Sequence, residues 1–516
     1  MPARNAKPRI IFNDDSVSIN VVQPPFTNER IALAVEHLAG SQVDCLCWKV
    51  FRRFTAGWPS RVCEAEHEMY WGAQTDPNHV AGHLRYDLHR QGVDYLPVLI
   101  EATRQRGIAF FPSFRMNDCH HRSRPSEAAE FWKTHQHYRL WEVQDGRNYY
   151  NAALDYSYEE VRDRMFAAIH EFVHRYDVDG VELDFCRNPY IFQPSEGWGK
   201  RDILTQFIGR LQAMARDVGA ARGGELTLLV RVPFSDRLRT EAGMDVERWI
   251  NDGLMDVLVM SSLKNDCDLA IEPWRSMCRE AGVLFYPSLE AGPLDNAPAH
   301  NHVVRETPDE TVTRQRAAAR NMLMQDPDGI YMFNYPCLLF GRGVDQDGFR
   351  KLNGVLSQVG SIETLEGLAR QYVFWKNLPI IVESGRPPQY HQTIAFEIRD
   401  ETIDRPENRV CLSFRQVAEA NPHAKGRPGN DAIIGTRWMK YLLNGHEIDA
   451  GCIDSTIEPA GAIQSGFTLG EHELVTIRPP ASALRDGENR LAFHVPRFPK
   501  EHDPCVFIHE LIVDVE

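Results

Sequence analysis

The stretch DGVELDF, residues 179–185, decides the fold. Val181, Leu183 and Phe185 alternate with Glu182 and Asp184, which is the period of a β-strand with an apolar face and an acidic one. Upstream, YEEVRDRMFAAIHEFVHRY (158–176) has helical spacing, and so does RDILTQFIGRLQAMARDV (201–218) downstream. A strand set between two helices belongs to a parallel sheet, because parallel neighbours need a long crossover connection.

Moving outward from this strand, the same unit recurs. Short runs rich in Val, Ile, Leu and Phe occur at RIIFND (9–14), VDCLCWKV (43–50), GIAFFPSF (107–114), ELTLLVRVP (225–233), MDVLVMSS (255–262), GVLFYPSLE (282–290) and GIYMFNY (329–335). With DGVELDF they make eight strands. Helical patterns at 29–40, 245–253, 271–282 and 310–326 fill intervals between them. Eight strand–helix alternations predict a closed (β/α)₈ TIM barrel. The competing doubly wound open sheet would place a glycine-rich phosphate loop after its first strand, and RIIFND is followed by none.

After residue 360 the texture changes. ETLEGLARQYVFW (363–375) reads as one more helix, and then alternating runs take over: QTIAFEIRD, RVCLSFRQV, RWMKYLLNGHEI, HELVTIRPP, NRLAFHVPR and CVFIHELIVDVE. Strands at this spacing with turn signals between them predict an all-β jelly-roll sandwich. The expected organisation is a catalytic barrel over 1–360, a connecting helix or linker over 361–380, and a β-sandwich accessory domain over 381–516.

Bulk composition excludes several classes. Of 516 residues, 43% are hydrophobic and 25% charged, the balance of a soluble globular chain. The net charge of −15 has no basic stripe, which argues against nucleic acid as a partner. No apolar window approaches the ~20 residues of a membrane span, so no membrane partner is expected. MPARNAKPRI lacks the apolar core of a secretory signal, so the chain as given reads as cytoplasmic, or as secreted or periplasmic if a signal once preceded it. The eleven cysteines are scattered and read as reduced core residues. Cys45 and Cys47 have no second cysteine pair near them in sequence to complete a zinc site. No metal or cofactor is expected, and the oligomeric state is open.

Strand parity then locates the candidate site. If Val181, Leu183 and Phe185 face the helices, Glu182 and Asp184 point into the barrel near the end where active sites are built. Two unpaired carboxylates there would cost several kcal/mol unless cations, hydrogen bonds or substrate compensate them. The same parity puts Tyr286, Ser288 and Glu290 on one face of the seventh strand, Ser113, Arg115 and Asn117 on one face of the third, and Arg231 inward on the fifth. Opposed acids across a sugar-sized gap are the machinery of glycoside hydrolysis. Asp184 and Glu290 are therefore the expected acid and base or nucleophile, with Glu182 raising the pKa of one of the strand-four acids by like charge. Arg115 and Arg231 are expected to hold the ionised partner or a substrate group. Asp236 is a reserve acid, and Lys49, Asn117, Tyr286 and Asn334 are further candidates for substrate contact.

The motifs also carry a resemblance. The barrel with acids ending strands four and seven resembles the glycoside hydrolase superfamily, and acid placement is like that of its clan A, although that clan ends strand four in Asn-Glu where this chain has LDFCRN. DGVELDFC is similar to the chitinase-type pattern D-G-x-D-x-D-x-E, with Cys186 standing where that pattern has its Glu. GVELDF is similar to strand four of α-galactosidase-like barrels, in which the terminal Asp is a nucleophile. YDVDGVELDF as a whole resembles bacterial glycosyl hydrolase-like barrels. YLLNGHEI and LRDGENRLAFHV resemble the galactose-binding-like modules appended to sugar-processing enzymes. The resemblance implies a hydrolase acting on an oligo- or polysaccharide.

Other residues keep alternatives open. RMNDCHHRSR (115–124) carries Asp118, His120 and His121, readable as substrate contacts, proton carriers or plain loop. The histidines and arginines would also suit a lyase or epimerase acting on acidic sugars. Cys186 in place of a Glu would suit a barrel that binds carbohydrate without cleaving it. The long segments 51–95 and 115–158 suggest subsites above the barrel, with Trp58, Tyr70, Trp71, Tyr190, Phe192, Trp198 and Tyr335 as stacking candidates.

Overall fold

The computed structural model describes residues 7–23, 25–65, 88, 91–123, 127–141, 152–262, 267–290, 307–340, 344–374, 378–383, 392–420, 439–463, 468–495 and 504–516. Tyr70 and Trp71 lie outside them, as does much of the long segments expected to form subsites.

Eight parallel strands close into a barrel: β1 (Ile10–Asp14), β2 (Val43–Arg52), β3 (Ala109–Arg115), β4 (Gly180–Asp184), β5 (Thr227–Pro233), β6 (Val257–Ser261), β7 (Leu284–Glu290) and β8 (Ile330–Phe333). Closure is direct, because Ile10–Asp14 pairs in parallel with both β2 and β8. A two-residue strand, Thr55–Ala56, folds back antiparallel on β2. Helices α1 (Leu96–Gln105), α2 (Glu159–Arg175), α3 (Arg201–Ala221), α4 (Val246–Asn251) and α5 (Trp274–Ala281) connect successive strands. The pattern at 29–40 begins as an α-helix over Asn28–Ala32 and tightens into a 3₁₀ turn over Leu33–Leu38.

Parity sorts the strand residues as expected. Phe114 of β3 meets Phe172 of α2 edge-on at 5.8 Å, and Phe185 meets Trp249 of α4 at 6.3 Å. Facing inward, Ile11, Cys45, Cys47, Phe111, Leu229, Val257, Val259, Tyr286, Tyr331 and Phe333 pack as one apolar cluster. Gly180 makes room for it, since a Cβ there would lie 2.4 Å from the Phe111 ring. The barrel floor is thus a packed core, not a pore.

The chain divides into two compact units, one built on the barrel strands as far as residue 360 and the other on α6 (Pro308–Leu323) and the chain after 361. The helical pattern at 310–326 does form a helix, begun by a reciprocal cap between Thr307 and Glu310. Its Arg314 donates to Gln371 at 2.8 Å within the second unit.

The helix expected over 363–375 is absent. Glu363–Leu365 makes a single 3₁₀ turn, and Arg370–Phe374 is a strand, β9, paired with the final strand from Val515 to Leu511. Pairing and burial of Tyr372, Val373 and Phe374 override a helical spacing whose residues favour strands in any case.

The second unit holds two main antiparallel sheets, besides a short antiparallel pairing of Gly461–Ala462 with Thr468–Leu469. One contains β9, β10 (Ile380–Glu383), β12 (Val410–Ala420), β14 (Ile453–Glu458), β15 (His472–Ile477) and β17 (Pro504–Val515); the other contains β11 (Thr393–Ile398), β13 (Lys440–Leu443), β16 (Gly487–His494) and the short His446–Glu447. They share a core in which Phe414 of the first sheet meets Phe493 and Tyr441 of the second at 5.2 and 5.5 Å. This is a β-sandwich. Among the described residues no helix is long and apolar enough to cross a membrane, and the ten cysteines whose side chains are described form no disulfide.

Candidate active site at the C-terminal end of the barrel

Strand register stacks the inward polar residues in two tiers. Ser113 of β3 lies beside Glu182 of β4, and one step higher Arg115 lies beside Asp184. Asp184 in turn neighbours Arg231 of β5, and Glu290 of β7 neighbours Phe333 of β8.

Glu182 occupies the lower tier and is fully buried. Asn13 donates to one of its oxygens at 2.9 Å, and the Tyr331 hydroxyl donates to the other. Burial first, and then the charge of Asp184, push its carboxyl up to about 7, against hydrogen bonds from Ser113 and Tyr331 and the charge of Arg231. The like-charge effect expected on strand four therefore falls on Glu182 itself.

The upper tier is organised by Arg231, which has no exposed surface. One terminal nitrogen donates to Asp184 Oδ1 at 3.1 Å, and the other donates to Ser261 Oγ at 3.0 Å and to Glu290 Oε1 and Oε2 at 3.1 and 3.3 Å. The guanidinium carbon lies 3.8 Å from the ring centre of Phe333. Asp184 and Glu290 are thus both inward and both held by one rigid fork. Glu290 also accepts from Ser288 at 2.8 Å and from Ser261. Asp184 Oδ1 accepts the backbone N–H of Cys186 at 2.9 Å, while Oδ2 is buried without a hydrogen-bond donor.

A second cluster adjoins the first through Arg115. This buried guanidinium pairs with Asp15 and, at 2.7 Å, with Asp118. Asp118 also meets Arg53 at 3.9 Å and His120 Nδ1 at 2.8 Å. His120 Nε2 lies 3.1 Å from Arg187 Nη2. A guanidinium only donates, so Nε2 accepts and the ring proton sits on Nδ1, facing Asp118. The Asp118 charge favours a second ring proton, but burial and the charges of Arg115 and Arg187 outweigh it and lower the pKa of His120. Burial opposes charge on Asp15, yet Arg115, Arg187 and the buried Lys49 hold its carboxyl below the usual range.

The remaining expected residues lie elsewhere or do other work. Asn117 ties loops together, donating to Leu154 O at 2.7 Å and accepting from Leu154 N at 3.0 Å. His121 is buried edge-on against Trp132 at 4.6 Å, and burial pushes its ring down to about 4. Tyr286 points inward at the wrong end for the mouth, its hydroxyl donating to Pro8 O at 2.9 Å below the start of β1. Asp236 has a side chain 93% exposed and pairs with Arg239 of its own short helix. Asn334, just past β8, adopts φ 51° and accepts from Cys337 Sγ at 3.2 Å.

Participants not singled out from sequence include Asn13, Tyr331, Ser261 and Asp15. Parity alone would have placed the first two inward, since Asn13 follows Ile11 by two positions and Tyr331 precedes Phe333 by two. Among the described residues there is no group of three or more His, Cys, Asp or Glu arranged to hold a metal ion.

Fold and site together define a (β/α)₈ barrel with a polar, charge-paired interior at the end where such barrels carry chemistry. A family model described as glycosyl hydrolase-like 10 matches residues 16–197, the stretch that contains Lys49, Arg115, Glu182 and Asp184. No curated protein matches the sequence. Among solved structures, α-L-fucosidase isoenzyme 2 from Paenibacillus thiaminolyticus is 12% identical with a TM-score of 0.41, over 71% of this chain and 51% of that one. GH36 α-galactosidase AgaA from Geobacillus stearothermophilus is 12% identical with a TM-score of 0.38, over 92% and 56%. The maltogenic α-amylase AmyB from Thermotoga neapolitana is 10% identical with a TM-score of 0.35, over 96% and 100%. The chain spans about half the length of the fucosidase and the galactosidase.

Proposed function

We propose that the barrel mouth hydrolyses a glycosidic bond in an oligo- or polysaccharide, with Asp184 at the reacting centre and Glu290 as the second carboxylate of the same charge-paired site. In this reaction the anomeric C–O bond breaks, the leaving oxygen takes a proton, and the hydroxyl of a water ends on the anomeric carbon. The observation that carries the reading is the state of Asp184: one oxygen is held by Arg231 and a backbone N–H, and the other has no donor. A carboxylate so anchored faces a developing positive charge without first having to reorient. The glycosyl hydrolase-like match over 16–197 supports the same class.

The cations at the mouth favour hydrolysis over elimination or epimerisation on acidic sugars. Arg115 is paired with Asp15 and Asp118, and Arg231 with Asp184 and Glu290, so both arginines expected to grip a substrate carboxylate are committed within the chain. One observation favours a barrel that binds glycan without cleaving it: Arg231 joins and neutralises the two acids, as a structural ion cluster would. A panel of aryl glycosides and polysaccharides decides between these readings. Hydrolysis releases reducing ends, elimination creates an ultraviolet-absorbing double bond, and a binder retains glycan and does neither. Reducing ends from at least one substrate are expected. Retention without any bond cleavage would overturn the proposal.

A further inference from the structure

Asp184 and Glu290 are not equivalent in their surroundings. Glu290 is met by side-chain donors: Ser288 at 2.8 Å and Ser261 on Oε1, and Arg231 on both oxygens at 3.1 and 3.3 Å. Ser261 Oγ in turn accepts from Arg231 at 3.0 Å, so serine, arginine and glutamate close a small ring of hydrogen bonds. A carboxylate met by donors from three side chains has its acceptor positions taken up within the chain and little room left for a substrate group. Asp184 keeps an oxygen that no donor occupies.

We infer that Glu290 is a positioning residue that works through Arg231, holding the guanidinium so that its other nitrogen fixes Asp184 with Oδ2 turned to the substrate. The inference rests on the hydrolase reading and divides the labour within it. A guanidinium is a planar fork, so fixing one arm fixes the direction of the other. The face of Phe333, 3.8 Å from the guanidinium carbon, holds the same plane from one side, and Ser261 and Ser288 set the Glu290 carboxylate in it. Asp184 is then the one member of the triad that meets the reacting carbon or its water.

Chemical rescue separates the two roles. On an activated aryl glycoside cleaved by the wild type, azide takes the place of a missing catalytic carboxylate: a nitrogen of azide bonds to the anomeric carbon as the C–O bond breaks, and the aryl oxide leaves. Azide is expected to restore the rate of Asp184→Ala at least about tenfold and to leave Glu290→Ala unchanged. Glu290→Gln keeps the shape and guards against loss of folding. It is expected to lower kcat about 10–100-fold with KM within about twofold, the scale of misplacement rather than of lost chemistry. Rescue of Glu290→Ala by azide, or a Glu290→Gln loss beyond about 10⁴-fold, would overturn the inference. A wild type that cleaves no glycoside at all removes the hydrolase reading itself, and the inference falls with it.

Discussion

Glu182 sits in the barrel interior as a carboxyl that titrates near 7, well above its ordinary value of 4.5, chiefly because water is excluded. The folded state then binds a proton that the unfolded chain releases between those two values, so this group's contribution to stability grows as pH falls from 7 toward 4.5. Above pH 7 the folded protein must hold a buried anion. Glu182→Gln keeps an oxygen for Asn13 or Tyr331 and removes the titration. The variant should therefore be at least as stable as wild type at pH 8, and its advantage should vanish below pH 4.5, as read by urea unfolding at both pH values. A constant difference across that range would contradict the assignment. Arg231 makes the opposite case. Arg231→Leu leaves Asp184 and Glu290 buried without their common cation, and should cost about 3–5 kcal/mol in the same assay.

At the level of elements, β9 shows how tertiary pairing settles an ambiguous segment. Arg370, at its start, shares the fully buried Asp400 with Arg320 of α6, at 3.1 and 2.9 Å. Asp400→Asn would leave two nearly buried guanidinium groups around a neutral amide, and a loss of about 3–5 kcal/mol is expected from thermal or denaturant unfolding. By contrast, disrupting the half-exposed Lys440–Glu447 pair on the sandwich surface should cost less than about 1 kcal/mol. The eight barrel strands could be read from sequence because each combines a short β-branched run with its own flanking punctuation, and parity carried Glu182, Asp184, Arg231 and Glu290 inward correctly. The segment ETLEGLARQYVFW could not, because its partner strand lies more than a hundred residues away and only pairing with it decides between helix and strand. Tyr286 was misplaced for a related reason: parity gives the face of a strand but not the height along it, and Tyr286 stands four residues below Glu290. Asp236 failed because it follows the end of β5 and opens a short surface helix, where strand alternation no longer applies.

The molecule as a whole carries a barrel whose interior is apolar below and charge-paired above, and a sandwich with its own core. The chain's net charge of −15 sets a further expectation. Anionic polymers are repelled at long range and that repulsion is screened by salt, so any binding to polyuronates should strengthen on raising salt, whereas binding to neutral glycans should be indifferent to it. Affinity electrophoresis at two ionic strengths checks this, and salt-weakened binding to a polyuronate would contradict it. The measurement that bears most directly on the central claim compares wild type and Asp184→Asn side by side on a glycoside the wild type cleaves, following reducing ends while near-ultraviolet circular dichroism confirms that both are folded. Turnover of the folded variant is expected to fall by about 10² or more. A folded Asp184→Asn protein that cleaves at the wild-type rate would contradict it.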